Sequence, residues 1–110
     1  MSARPQDFLS RLADDCVWTV GDRTFHGREE IVGFFREVHE LSGGTYTVDP
    51  LWELDDGDRG VFYYRARGSR PDGRTIDLDQ AAVVRLDGDG RYSEVRVLPF
   101  DREVFDAFWA

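Results

Sequence analysis

A chain of 110 residues is the size of one domain, since a single hydrophobic core takes on the order of 100–150 residues. Its composition, 41% hydrophobic and 33% charged, is that of a soluble globular protein rather than a disordered or membrane-embedded one. The formal charge of −8, unrelieved by any basic cluster, repels nucleic acid and disfavours it as a partner. Cys16 is the one cysteine, which excludes an intrachain disulfide, and one cysteine with two separated histidines offers no zinc-ligand spacing. No cofactor is expected. The opening residues lack the apolar stretch of a secretory signal, so the cytoplasm is the expected compartment.

Pro5 suits a first helical position and predicts a short helical stretch in which Phe8, Leu9 and Leu12 share a face. Residues 16–20 alternate and read as a strand, with Trp18 and Val20 on one side. His26 then falls in a loop before Gly27, which introduces the clearest helix. Ile31, Phe34, Phe35, Val38 and Leu41 recur at helical spacing, Glu29 and Glu30 sit in the first turn, and Ser42-Gly43-Gly44 ends it.

From Gly44 onward the chain reads as strands and turns. Tyr46, Val48, Trp52 and Leu54 are expected on one face of a strand in which Pro50 marks a bulge or an edge. In the next strand Phe62, Tyr64 and Ala66 oppose Arg65 and Arg67, and Pro71-Asp72-Gly73 turns the chain. The strand after that sets Ile76, Leu78, Gln80, Ala82, Val84 and Leu86 against Asp77, Asp79, Ala81, Val83 and Arg85. A hairpin at residues 87–90 leads to a last strand with Tyr92, Glu94, Arg96 and Leu98 on one side. A terminal helix over residues 103–109 carries Phe105, Phe108 and Trp109. Helices followed by successive antiparallel strands predict an α+β domain occupying residues 1–110.

Several of these segments together resemble a known family. Asp-Asp-Cys-Val-Trp at 14–18, Phe-His-Gly-Arg-Glu-Glu-Ile at 25–31 opening a helix, and Gly73-Arg74 are similar to signatures of SnoaL-like proteins. So are the Ala-Val-Val-Arg strand running to a glycine hairpin and the closing Asp101, Phe105 and Phe108-Trp109. That family belongs, with the ketosteroid isomerases, to the nuclear transport factor 2-like superfamily. The resemblance implies a strongly curved antiparallel sheet forming a cone around a helix (a cystatin-like fold), a pocket at its open end, and frequently a homodimer. Family members usually begin with a longer helix, so the resemblance also implies a shortened N-terminal helical region here.

Isomerase chemistry of that kind uses a carboxylate base and two oxyanion donors, a tyrosine and a protonated acid. By resemblance the base falls near Trp18 or Thr19, the tyrosine in the absent helix, and the acid at about Ala82, so none of the three is supplied. With the even-numbered strand face taken as concave, the ligand-binding residues are Trp18, Trp52, Phe62, Tyr64, Gln80, Ala82 and Leu98. Glu94 and Arg96 lie on the same predicted face, where they would orient a water or a polar substituent, or else form a structural ion pair at the rim. His26 near the cone mouth is a candidate base or a loop residue with a backbone partner. Asp77 and Asp79 fall on the opposite face, solvated or turned toward a partner subunit. Three functions fit this reading. The first is a small-molecule-binding domain for an apolar ligand. The second is a cofactor-free acid/base enzyme of the isomerase, cyclase, dehydratase or epoxide hydrolase type. The third is a protein-interaction domain whose cone is filled by Trp18, Trp52 and Phe62.

Overall fold

A computed structural model describes residues 9–110. The predicted helical start at Pro5 and Phe8 lies outside the described residues. Residues 9–11 form a tight helical turn, and Leu12, expected on that helix, instead opens strand β1 (Leu12–Val20). The chain continues through β2 (Arg23–His26), α1 (Gly27–Leu41), β3 (Thr47–Asp55), β4 (Arg59–Ser69), β5 (Thr75–Leu86), β6 (Tyr92–Pro99) and α2 (Arg102–Trp109). The six strands make one sheet in the order β2-β1-β6-β5-β4-β3. Every pairing is antiparallel except β1 with β6, which run parallel, so the sheet is mixed. The sheet curls without closing, and α1 and α2 pack inside the curl.

Local chemistry explains why each element begins where it does. β1 and β2 meet at Gly21, whose φ of 59° is open to glycine at little steric cost. α1 starts at Gly27, and Glu30 reaches back to accept a hydrogen bond from the His26 backbone N–H at 3.0 Å. Arg28 donates to the carbonyls of Leu9 (2.8 Å) and Leu12 (2.6 Å), tying the start of the helix to the start of β1. Asp101 caps α2 by accepting from the Val104 N–H. At the other end of α2, Arg70 donates to the carbonyls of Phe108 and Ala110, and Arg74 to those of Ala107 and Ala110. These arginines, from the β4–β5 turn region, satisfy carbonyls that a helix end leaves unpaired.

The core joins Leu12, Cys16, Trp18 and Val20 of β1 to Ile31, Phe35 and Val38 of α1 and to the inward residues of β3 to β6. The predicted faces of β4 and β5 hold along their length, because Phe62, Tyr64 and Ala66 pair with Ala82, Gln80 and Leu78. Two other strands change face part-way. In β3 the register shifts at Leu51, so that Pro50 pairs with Tyr64 but Trp52 pairs with Tyr63. In β6 it shifts at Ser93, where Leu86 pairs with Tyr92 but Arg85 pairs with Glu94. One extra residue in a strand inverts every side chain beyond it. His26 is also corrected: it is the last residue of a strand, paired with Val17, and not part of a loop.

The convex face carries a polar lattice between strands. Arg65 donates to Asp77 (2.7 Å) and Asp79 (2.9 Å), Arg67 reaches Asp77 and Asp49, and the Tyr63 hydroxyl donates to Asp79. Asp72 pairs with Arg74 in the neighbouring turn. These arginine contacts, first among them Arg74 on Asp72, hold the carboxyl of Asp72 down to about 2. Asp77 is lowered chiefly by Arg65, and Asp79 first by the Tyr63 hydroxyl and then by Arg65. A carboxylate whose folded pKa is depressed contributes stability above its unfolded value and loses it as pH falls through the folded one. The urea midpoint is therefore expected to hold above about pH 4 and to drop toward pH 2, and less steeply at high salt. A midpoint that stays flat across that window would show that the lattice contributes nothing to stability.

Candidate functional site: a cavity inside the curled sheet

The concave face encloses a cavity of about 450 Å³, within the range of small-molecule sites. Its floor is sheet: Trp18, Phe62, Tyr64, Gln80, Ala82 and Val97 project into it. α1 supplies Phe34, Phe35 and Val38, while α2 closes one end with Phe105 and Trp109. The aromatic walls are held by edge contacts. Trp18 meets Phe35 at 5.0 Å and 85°, Trp109 meets Tyr46 at 5.3 Å, and Phe62 meets Tyr92 at 5.9 Å.

Five of the predicted ligand-binding residues, Trp18, Phe62, Tyr64, Gln80 and Ala82, are brought together here. Leu98 is not. It lies beyond the shift at Ser93, faces outward, and is 45% exposed. The same shift removes Glu94 and Arg96 from the concave face, since Val95 and Val97 between them are buried and line the cavity. Glu94 and Arg96 form no ion pair with each other, so the predicted rim pair is absent among the described residues. Trp52 still borders the cavity, but its ring is half exposed and stacks flat on Tyr63 at 4.9 Å, on the convex side. His26 is exposed and borders a separate shallow depression with Asp14, Arg28 and Glu29. Asp77 and Asp79 are on the outer face as expected.

The cavity also takes residues outside the predicted ligand-binding set: Phe34, Phe35 and Val38 of α1, Val95 and Val97 of β6, and Tyr46, Val48, Phe105 and Trp109. Tyr46, just before β3, and Val48 within it share a predicted face with Trp52, and the face change separates them. Phe105 and Trp109 were recognised only as apolar residues of a terminal helix, and only tertiary packing turns them inward.

The polar groups of the cavity are few. The Tyr64 hydroxyl donates to Gln80 Oε1 at 2.8 Å. Burial pushes the Tyr46 and Tyr64 phenols well above their usual range, with the Gln80 amide partly offsetting this at Tyr46. At the mouth, Arg23 holds Glu37 through two 3.0 Å hydrogen bonds. Arg11 lies over the Tyr92 ring, its guanidinium carbon 4.6 Å from the centroid. Among the described residues no group of three or more His, Cys, Asp and Glu could hold a metal ion. No described helix is long and apolar enough to cross a membrane.

Cys16 is buried on β1, where its thiol is pushed up to about 11, first by burial and then by the charges of Asp15 and Glu94. A thiol reacts as its thiolate. Iodoacetamide at pH 8 is therefore expected to alkylate the folded protein at least about a hundredfold more slowly than the urea-unfolded chain. Equal rates would show that β1 opens freely.

The fold and cavity define an α+β domain with a curled sheet enclosing an apolar-walled space. Residues 2–95 match the SnoaL-like domain family, and the chain belongs to it. No curated protein matches the sequence. Among solved structures, Bal32a from a soil-derived mobile gene cassette shares 24% identity at a TM-score of 0.85, covering 92% of this chain and 80% of that one. TerC, co-crystallised with polyporic acid, shares 23% identity at a TM-score of 0.81, with 96% and 88% covered. A nuclear transport factor 2-like protein of unknown function from Burkholderia pseudomallei shares 25% identity at a TM-score of 0.76, with 93% and 82% covered. Others carry cystatin-like, SnoaL-like polyketide cyclase and ketosteroid isomerase-like descriptions.

Proposed function

We propose that this chain is a small-molecule-binding protein that encloses an apolar metabolite in the curl of its sheet. The observation carrying this reading is the cavity itself, of about 450 Å³ and walled by aromatic and aliphatic side chains from both helices and from strands β1, β3, β4, β5 and β6. An interaction domain would fill that space with Trp18, Trp52 and Phe62, yet Trp52 turns outward onto Tyr63. TerC, which shares the fold, was co-crystallised with a small molecule, and this supports a ligand in the same architecture.

The positions that would carry ketosteroid isomerase-type chemistry hold Trp18, Thr19 and Ala82, none of which supplies a general base or a carboxylic acid. An acid/base reading would rest on Glu53, a carboxylate that borders the cavity and forms no salt bridge among the described residues.

The working form in this reading is a cytoplasmic homodimer. The convex face exposes Trp52, Leu54, Leu98 and Phe100 side by side with the arginine–aspartate lattice. Such a patch on one side of a sheet favours a protein partner over solvent. Native mass spectrometry of the purified protein, repeated under denaturing conditions, tests both parts. A dimer carrying a mass that is lost on denaturation is the expected result. A bare monomer that also fails to take up acetylnaphthalene would overturn the reading.

A further inference from the structure

The deep end of the cavity holds three polar side chains that cannot satisfy one another. Gln80 is 1% exposed, and its Oε1 already accepts from Tyr64. Its Nε2 is buried without a hydrogen-bond partner among the described residues. The Tyr46 hydroxyl lies beside that amide, near enough for the amide to pull its phenol down against the effect of burial. Tyr46, Tyr64 and Gln80 all line the cavity.

The hydrogen inventory of this trio points one way. Two amide N–H and two phenolic O–H groups are present, and a chain Tyr64–Gln80–Tyr46 can use only two of the four hydrogens, whichever way the amide is turned. Donor hydrogens are thus left over. Buried donors are paired in nearly all structures, and an orphaned N–H is rarer than an under-used carbonyl. Nearer the mouth the same bias recurs. The indole Nε1–H of Trp18, a donor only, is buried and without a partner among the described residues. Arg11, over the Tyr92 ring, has no carboxylate within salt-bridge distance among the described residues. The carboxylates at the rim are Glu37, already held by Arg23, and Glu53.

We infer that the ligand is a flat, mainly apolar molecule whose polar atoms are hydrogen-bond acceptors. A ketone or quinone-type carbonyl oxygen would be received by the Gln80 amide and the Tyr46 hydroxyl. A protonated amine brings only further donors to a place that already has too many, so the cavity selects against it. This rests on the ligand-binding reading above and specifies its chemistry.

Three probes of one shape test it: acetylnaphthalene, with a carbonyl acceptor; ethylnaphthalene, with no polar atom; and aminomethylnaphthalene, with only donors when protonated. Affinities come from quenching of tryptophan fluorescence. The ketone is expected to bind about tenfold more tightly than the hydrocarbon, the value of one net hydrogen bond, and the amine to bind most weakly. Tyr46→Phe and Gln80→Met should each reduce the ketone's advantage while leaving the hydrocarbon's affinity unchanged. Tyr46→Phe removes a single hydroxyl, so it carries the test if Gln80→Met does not fold. Ketone and hydrocarbon bound equally by the unaltered protein would overturn the inference and leave the apolar pocket standing. An advantage undiminished in Tyr46→Phe would overturn the assigned donor. Failure of all three probes to bind would overturn the pocket and the inference together.

Discussion

Phe108→Ala is expected to destabilise the fold by about 3–5 kcal/mol, a large share of the roughly 5–15 kcal/mol by which a domain of this size is stable. Phe108 is 1% exposed and is among the largest side chains wholly buried. It lies on α2, an eight-residue helix too short to persist in water without tertiary packing. Its ring packs edge-on against Trp109 at 4.6 Å, and its carbonyl accepts from Arg70. Truncation leaves a cavity beneath the helix and removes the contact that seats it. Phe105 and Trp109 should then leave the cavity wall, so ligand affinity should fall together with the urea midpoint. Amide exchange separates the steps, because α2 should lose protection before β5 does. A loss below about 1 kcal/mol would mean that the helix is held by its arginine contacts alone, outside the usual range for a buried phenylalanine.

Ala82→Phe is expected to lower the affinity for acetylnaphthalene and ethylnaphthalene by about a hundredfold or more, equivalent to about 2.7 kcal/mol. Ala82 lies at the middle of the cavity floor, between Phe62 of β4 and Val97 of β6. Added volume in a packed core forces neighbours aside and destabilises, but here the new ring projects into open space. The melting temperature should therefore shift by only a few degrees while binding is lost. Unchanged affinity for both probes would place their binding outside the cavity. Collapse of the fold would show instead that the floor is more tightly packed than a 450 Å³ space allows.

These two substitutions act on residues whose roles differ in how plainly the sequence announces them. Ala82 could be placed inward from β5 alone, because Ile76 and Leu78 alternate with Asp77 and Asp79 and Arg85 keeps the same outer parity at the far end. Phe62 and Tyr64 follow for the same reason, with Arg65 and Arg67 marking the outside of β4. α1 was legible from its apolar spacing and glycine stop, and the aspartate-glycine turns from their side-chain chemistry.

Where the reading of strand faces failed, it failed at single inserted residues. Pro50 announced a bulge in β3, but only the pairing of Trp52 with Tyr63 shows that the chain crosses over at Leu51. Nothing local in Tyr92-Ser93-Glu94 announces the second crossover, which is fixed by how β6 meets β5 on one side and β1 on the other. That crossover sends Glu94, Arg96 and Leu98 to the convex face and brings Val95 and Val97 in. The parallel pairing of β1 with β6 is equally invisible locally, since it joins strands separated by most of the chain.

By itself the sequence determined α1, α2 and strands β3 to β6, the family and the inward faces of β4 and β5, but not β2 or the start of β1. Periodicity and turn chemistry are properties of neighbouring residues, and they carry that information directly. Tertiary structure alone decided which residues beyond the bulges face the cavity, how α2 closes its end, and which buried donors are left without partners. Each of those depends on contacts between strands and helices distant in sequence, and a shift of one residue in their pairing reverses the outcome.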